Sequence, residues 1–187
     1  TREYTYDAYS IDQTVTCLAM RSAKLIKKGE GEFRSASQAK LFKSGKYTFS
    51  AYVKTSGLTV PEGKKGAFLR VTDGDKVYES EAIRADTSSR GINTSANGWE
   101  RVYITFPFTR EEELDETTAS SVTVALVCDA KSGTVYFAAP QVEAGEIANV
   151  YNLVVNGDFS ATQTNTACSA GTRLFPENWT TLGAGLS

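Results

Sequence analysis

The sequence contains no histidine at all. That removes the commonest general base near neutral pH, the Ser-His and Cys-His nucleophile pairings, and most zinc sites. Cysteine is scarce: Cys17, Cys128 and Cys168 stand far apart, and no CxxC pair points to zinc or redox chemistry. Cys128 alternates with Val122, Val124 and Leu126, which reads as a small buried hydrophobe rather than a reactive thiol. Cys17 and Cys168 are the candidate disulfide if the protein is exported. No apolar run approaches the roughly 20 residues of a membrane span, and no stretch reads as a signal peptide. Charge of one sign is lacking too: 20 basic and 22 acidic residues leave a formal −2. Without a basic field for phosphates or a spanning segment, neither nucleic acid nor membrane insertion is expected.

What is present is a globular chain of 187 residues, 41% hydrophobic, enough for a substantial core. Its dominant pattern is alternation with a period of two, broken by Gly, Asn, Asp and Ser. In Lys46–Thr55, Tyr47, Phe49, Ala51 and Val53 take one face, and Thr48, Ser50, Tyr52 and Lys54 the other. Gly66–Thr72 sets Phe68 and Arg70 against Ala67, Leu69 and Val71, and Asp73-Gly74-Asp75 then turns the chain into Val77–Arg84. In Glu100–Phe108, Val102, Ile104 and Phe106 alternate with Arg101, Tyr103 and Thr105; Ser121–Cys128 and Thr134–Val142 repeat the pattern. Toward the N-terminus, Thr14–Met20 and Phe33–Phe42 read as strands with Lys27–Gly31 as a turn, while a helix over Cys17–Lys28 stays open as the alternative. Seven to nine short strands and almost no helix give an all-β fold: a two-sheet antiparallel β-sandwich of the jelly-roll kind.

Acids do not cluster into a site. Arg110–Glu116 carries five of them in seven residues, which reads as a solvated crossover loop. Nothing brings two of the 22 carboxylates together in a cleft, so no enzyme activity is expected. The polar loop Asp86–Asn97 reads as a surface connection, and the sequons Asn93-Thr94-Ser95 and Asn178-Trp179-Thr180 are given no role.

Three phrases, GKYTFSAYVKTSG (Gly45–Gly57), GWERVYITFPF (Gly98–Phe108) and GTVYFAAPQVEAGEIANVYNLVVNGDFS (Gly133–Ser160), carry a resemblance. They resemble carbohydrate-binding-module-like (galactose-binding-like) jelly rolls repeated in large bacterial surface proteins, including YD-repeat (RHS-type) and wall-associated proteins. The likeness covers Gly45–Ser160 and is weak over Thr1–Lys43. It implies a secreted or cell-surface bacterial protein, with any export leader upstream of Thr1. It also implies a non-catalytic module that binds an oligo- or polysaccharide, or else serves as a spacer or adhesin repeat with no glycan ligand.

In that family NLVxNGDF followed by PxxW opens a module; here Asn152–Phe159 and Pro176–Trp179 stand at the C-terminus instead. The resemblance therefore divides the chain into 1–149, a sandwich lacking its usual first strand, and 150–187, the opening of a following module. Asn152–Phe159 is expected either to complete its own sandwich or to exchange strands with another chain. Neighbouring modules of the same polypeptide are expected partners. The acids of the family's structural calcium site fall at Ser160 and Ala138 here, neither of which supplies a carboxylate, so no metal or cofactor is expected.

Sugar binding needs a flat aromatic face against the C–H side of a pyranose and a few polar groups for its hydroxyls. By strand parity the outward residues that meet this description are Tyr52, Arg70, Arg101, Tyr103 and Tyr136, with Tyr52 the leading candidate. They come from strands of both sheets, so they are not expected to share one face. Trp99 reads as a plug closing the end of the sandwich, and Trp179 as its counterpart in the next module.

Overall fold

The computed structural model describes residues 7–29, 31–87, 98–110, 120–146, 159, 162–165, 173–176 and 179–182. Every regular element among them is a strand. The chain runs β1 (Ala8–Cys17), β2 (Met20–Lys27), β3 (Phe33–Leu41), β4 (Gly45–Thr59), β5 (Ala67–Asp73) and β6 (Lys76–Glu79). It continues with β7 (Glu100–Phe108), β8 (Ser120–Cys128), β9 (Ser132–Ala144), β10 (Thr162–Asn165), β11 (Arg173–Pro176) and β12 (Thr180–Leu182).

Two five-stranded sheets are built in the orders β1-β2-β9-β4-β7 and β12-β3-β8-β5-β6; β10 and β11 form a separate antiparallel pair. Within the sheets β2 pairs with β9, β3 with β8, β4 with β7 and β5 with β6, all antiparallel. This nesting is one long hairpin rolled around a barrel-like axis, which defines the jelly roll. The contacts of β4 with β9 and of β5 with β8 close each sheet. The all-β sandwich expected from alternation is the fold that forms.

Alternation assigns the faces. From the first sheet Leu25, Phe49, Val53, Phe106 and Phe137 point between the layers, and from the second Phe33, Leu41, Leu69, Val124 and Leu126 meet them. All ten are fully or nearly fully buried, each worth about 1.5–3 kcal/mol of hydrophobic stabilisation. Cys128 is buried in this core, as its place in the apolar alternation suggested. Phe159 and Trp179 belong to the same core, with ring centroids 5.4 Å apart. β12, just after Trp179, pairs with the outer edge of β3.

Two local departures reset the pattern. The N-terminal hairpin turns at Leu18-Ala19, both in the left-handed region (φ 50° and 62°), the geometry of a type I′ turn. Thr14–Met20 is therefore split between two strands, and Met20–Lys27 is a strand rather than the alternative helix. Such turns are normally announced by Asn-Gly, and Leu-Ala gives no such signal. In β9 a bulge at Ala139 (φ 48°) shifts the register against β4 between Ser50 and Tyr52. The inward set accordingly passes from Phe137 to Val142, five residues on.

Candidate functional site

Four of the five outward candidates lie on the first sheet. Tyr52 stands on β4, Arg101 and Tyr103 on β7, and Tyr136 on β9, all with side chains turned away from the core in the parity that alternation requires. The strand register sets Tyr52 opposite Arg101 and Ser50 opposite Tyr103. Arg70 is on β5 of the second sheet and is occupied there. Its guanidinium makes two hydrogen bonds to Glu32, at 2.6 and 2.8 Å, and is held by Glu79 at 2.7 Å. It also lies 5.4 Å from the centre of the Phe68 ring. Arg70 thus organises the surface of the second sheet, away from the tyrosines.

Within the first sheet the aromatic rings are not equally available. Tyr52 and Tyr136 are half-buried beside Trp99, Cys17 and Ala138, with Val15 packed against the group. Trp99, the residue just before β7, is 3% exposed and packs in this outer cluster. Two residues before Arg101, it continues the outward parity of β7. The cover comes from β1, which loops out between Asp12 and Cys17 where its register with β2 breaks. Asp12 Oδ1 holds that loop by accepting the N–H groups of Thr14 and Val15 at 2.8 and 2.9 Å and the Thr14 hydroxyl at 2.8 Å. The Ser22 hydroxyl pins it from below, donating to the Val15 carbonyl at 2.6 Å.

Cations take up two of the ring faces. The Arg101 guanidinium lies 5.8 Å from the Tyr52 ring centre, and Lys24 Nζ lies 5.5 Å from that of Tyr136. Tyr103 is different: 64% of its surface is exposed. Arg101 and Tyr103 stand between two recesses. One, of about 290 Å³, lies around the edge of β7 between Glu81–Ile83 and Glu100–Tyr103. The other, of about 190 Å³, lies on the sheet face and is completed by Thr48, Ser50 and Glu146. Ser50 Oγ accepts a 3.1 Å hydrogen bond from Arg101, which sets the direction of the guanidinium. Thr48 bonds the Thr105 hydroxyl at 3.1 Å and donates to the Gly145 carbonyl at 2.8 Å, stiffening the floor of the second recess.

Alternation already marked Ser50 and Thr48 as outward neighbours of Tyr52, so parity was the signal that could have found them. Glu81 falls in Val77–Arg84, which reads as a strand, but β6 ends at Glu79 and Glu81 lies beyond it; Glu146 lies outside the alternating runs, and neither was marked. Glu143, opposite Thr48, is 1% exposed with neither carboxylate oxygen hydrogen-bonded among the described residues, and it lines neither recess.

Cys168, the Asp86–Asn97 loop from residue 88, residues 111–116 of the acidic run and Ser160 lie outside the described residues. So does most of Asn152–Phe159; only Phe159 is described. Of the positions matched to calcium ligands, Ala138 is buried in the outer cluster. Among the described residues no three Cys, Asp or Glu side chains group as a metal site. No helix among them is long and apolar enough to cross a membrane. No protein-family model and no curated protein matches the chain.

Proposed function

We propose that the chain is a non-catalytic carbohydrate-binding-like module of an exported bacterial cell-surface protein, and that it grips sugar with Tyr103 and Arg101. The observation that carries this reading is the 64% exposure of Tyr103 between two recesses. A pyranose laid on the Tyr103 ring puts its apolar C–H face against the aromatic face, worth about 0.5–1.5 kcal/mol beyond area burial. Arg101 donates N–H bonds to ring hydroxyls on one side. Glu81 and Glu100 in the edge recess, or Glu146 on the sheet face, accept from hydroxyls on the other. Both recesses are shallow and open, so the affinity belongs on the order of 0.1–1 mM, about −4 to −5.5 kcal/mol.

A second reading, a spacer or adhesin repeat with no glycan ligand, draws support from Tyr52 and Tyr136. A cation lies over each ring, so those ring faces are already covered. A pull-down on insoluble wall, mucin and plant polysaccharides separates the two. The binding module is retained on one of them and released by the matching free oligosaccharide, whereas the spacer passes through all three.

A further inference from the structure

Where β1 enters its sheet, Asp7 and Lys27 meet inside the protein. Lys27 Nζ lies 2.7 Å from Asp7 Oδ2, and the two side chains are 1% and 2% exposed. Charges at that depth lose their hydration at a cost their mutual attraction rarely recovers. The surrounding polar groups, moreover, do not suit an ammonium ion. An ammonium offers three N–H donors, and among the described residues Nζ has the acceptors Asp7 Oδ2 and, at 2.9 Å, the Gly29 carbonyl. Asp7 Oδ1, by contrast, accepts the backbone N–H groups of Lys28 at 2.9 Å and Gly29 at 3.0 Å. One acceptor beside the nitrogen and two donors on the oxygen are the partners that a secondary amide takes.

We propose that Lys27 and Asp7 condense into an amide crosslink between their side chains. A proton first passes from the Lys27 ammonium to Asp7 Oδ2 along the hydrogen bond that joins them. The lone pair freed on Nζ then attacks Cγ, forming the Nζ–Cγ bond and moving an electron pair onto Oδ1. Lys28 and Gly29 hold that oxyanion with their backbone N–H groups. A second proton moves from nitrogen to Oδ2, the Cγ–Oδ2 bond breaks, and Oδ2 leaves as water. No oxidant, reductant or co-reactant enters, and the product keeps one N–H for the Gly29 carbonyl. Cys128, buried at the same end, stays a neutral thiol: burial pushes it up to about 11, so it adds no charge beside the reacting pair.

The bond joins an edge strand to its neighbour: among the described residues, β1 pairs with β2 alone in its sheet. An edge strand so tied cannot peel away under heat or tension without breaking a covalent bond. This inference is independent of whether a sugar binds.

Intact-mass spectrometry of the purified chain under denaturing conditions tests it. The expected mass falls short of the sequence mass by one water, and both Lys27→Arg and Asp7→Ala restore the full value. Trypsin fails to cut after Lys27 in the wild type, and the digest yields a branched peptide joining the Asp7 and Lys27 segments. Should the variants not fold, the wild-type digest decides by itself. A wild type at its full sequence mass overturns the proposal. So does a water deficit without the branched peptide, which would mark dehydration elsewhere.

Discussion

Arg101 and Tyr52 are register partners across β4 and β7, and the guanidinium of the one lies 5.8 Å from the ring centre of the other. In the proposed reading Tyr52 is a supporting residue: its ring lies beside Arg101, and it packs against the cluster of Trp99, Cys17 and Ala138. A Tyr52→Ala substitution is expected to cost about 2–3 kcal/mol of stability through lost packing, while sugar affinity falls less than threefold. Denaturant unfolding and calorimetric titration of the same preparation check both halves.

Phe159 and Trp179 stack on each other within the main core, far along the chain from the strands they touch. Replacing either with alanine leaves a large cavity and is expected to cost about 3–5 kcal/mol. Ending the chain at Glu146 removes both and lowers the thermal midpoint at least as far. A truncated chain that melts with the full-length protein would show that the C-terminal segment adds nothing to this core.

Asp12 fixes the loop that covers the outer cluster, and its ionisation is tied to the fold. Burial alone would raise it above the ordinary 3.8, but the Val15 N–H, the Thr14 hydroxyl and N–H, and Lys24 together pull it down to about 2. A carboxyl depressed in the folded state stabilises above its unfolded value and loses that contribution as pH falls through the folded one. The stability gap between wild type and Asp12→Asn is therefore largest above pH 3.8 and closes by about pH 2. Urea midpoints measured across that range check it; a gap that widens on acidification contradicts the assignment.

Gly66 packs against the backbone of Ile83, which lines the edge recess. With φ at 104°, it leaves no room for a side chain: a Cβ there would sit 2.3 Å from the carbonyl oxygen of Ile83. Ile83 pairs with Ala67 through two backbone hydrogen bonds of 2.8 and 3.0 Å, so the added atom pushes directly on that bridge. Gly66→Ala is expected to destabilise by about 2 kcal/mol or more and to weaken sugar binding at the same time. Thermal melts and titrations of the one variant read both effects.

Much of this architecture was legible because a strand with one face in a core must alternate. Tyr47 through Val53, Ala67 through Val71 and Val102 through Phe106 each put the residues on the face that alternation assigns. The turn at Gly74-Asp75 was legible from its residues, and Asp73 pairs with Lys76 across it. Leu18-Ala19 was not, since neither residue favours the left-handed region that both adopt. Nor was the bulge at Ala139, where one extra residue reverses the faces of β9 with no glycine to announce it. For the candidate site, parity placed Tyr52, Arg101, Tyr103 and Tyr136 outward with Tyr52 as the leading candidate, but it did not give the order of exposure, in which Tyr103 comes first among the tyrosines. That ranking depends on the cover supplied by the β1 loop and by Arg101, contacts between strands that sequence spacing does not encode.

The central claim is that Tyr103 and Arg101 form a sugar-binding platform, and the most direct measurement is a glycan-array screen of the wild type beside Tyr103→Ala and Tyr52→Ala. The account predicts a specific wild-type signal that Tyr103→Ala loses by tenfold or more, about 1.4 kcal/mol, and that Tyr52→Ala largely keeps. A blank array for the wild type, or a signal that survives Tyr103→Ala and disappears with Tyr52→Ala, would contradict it.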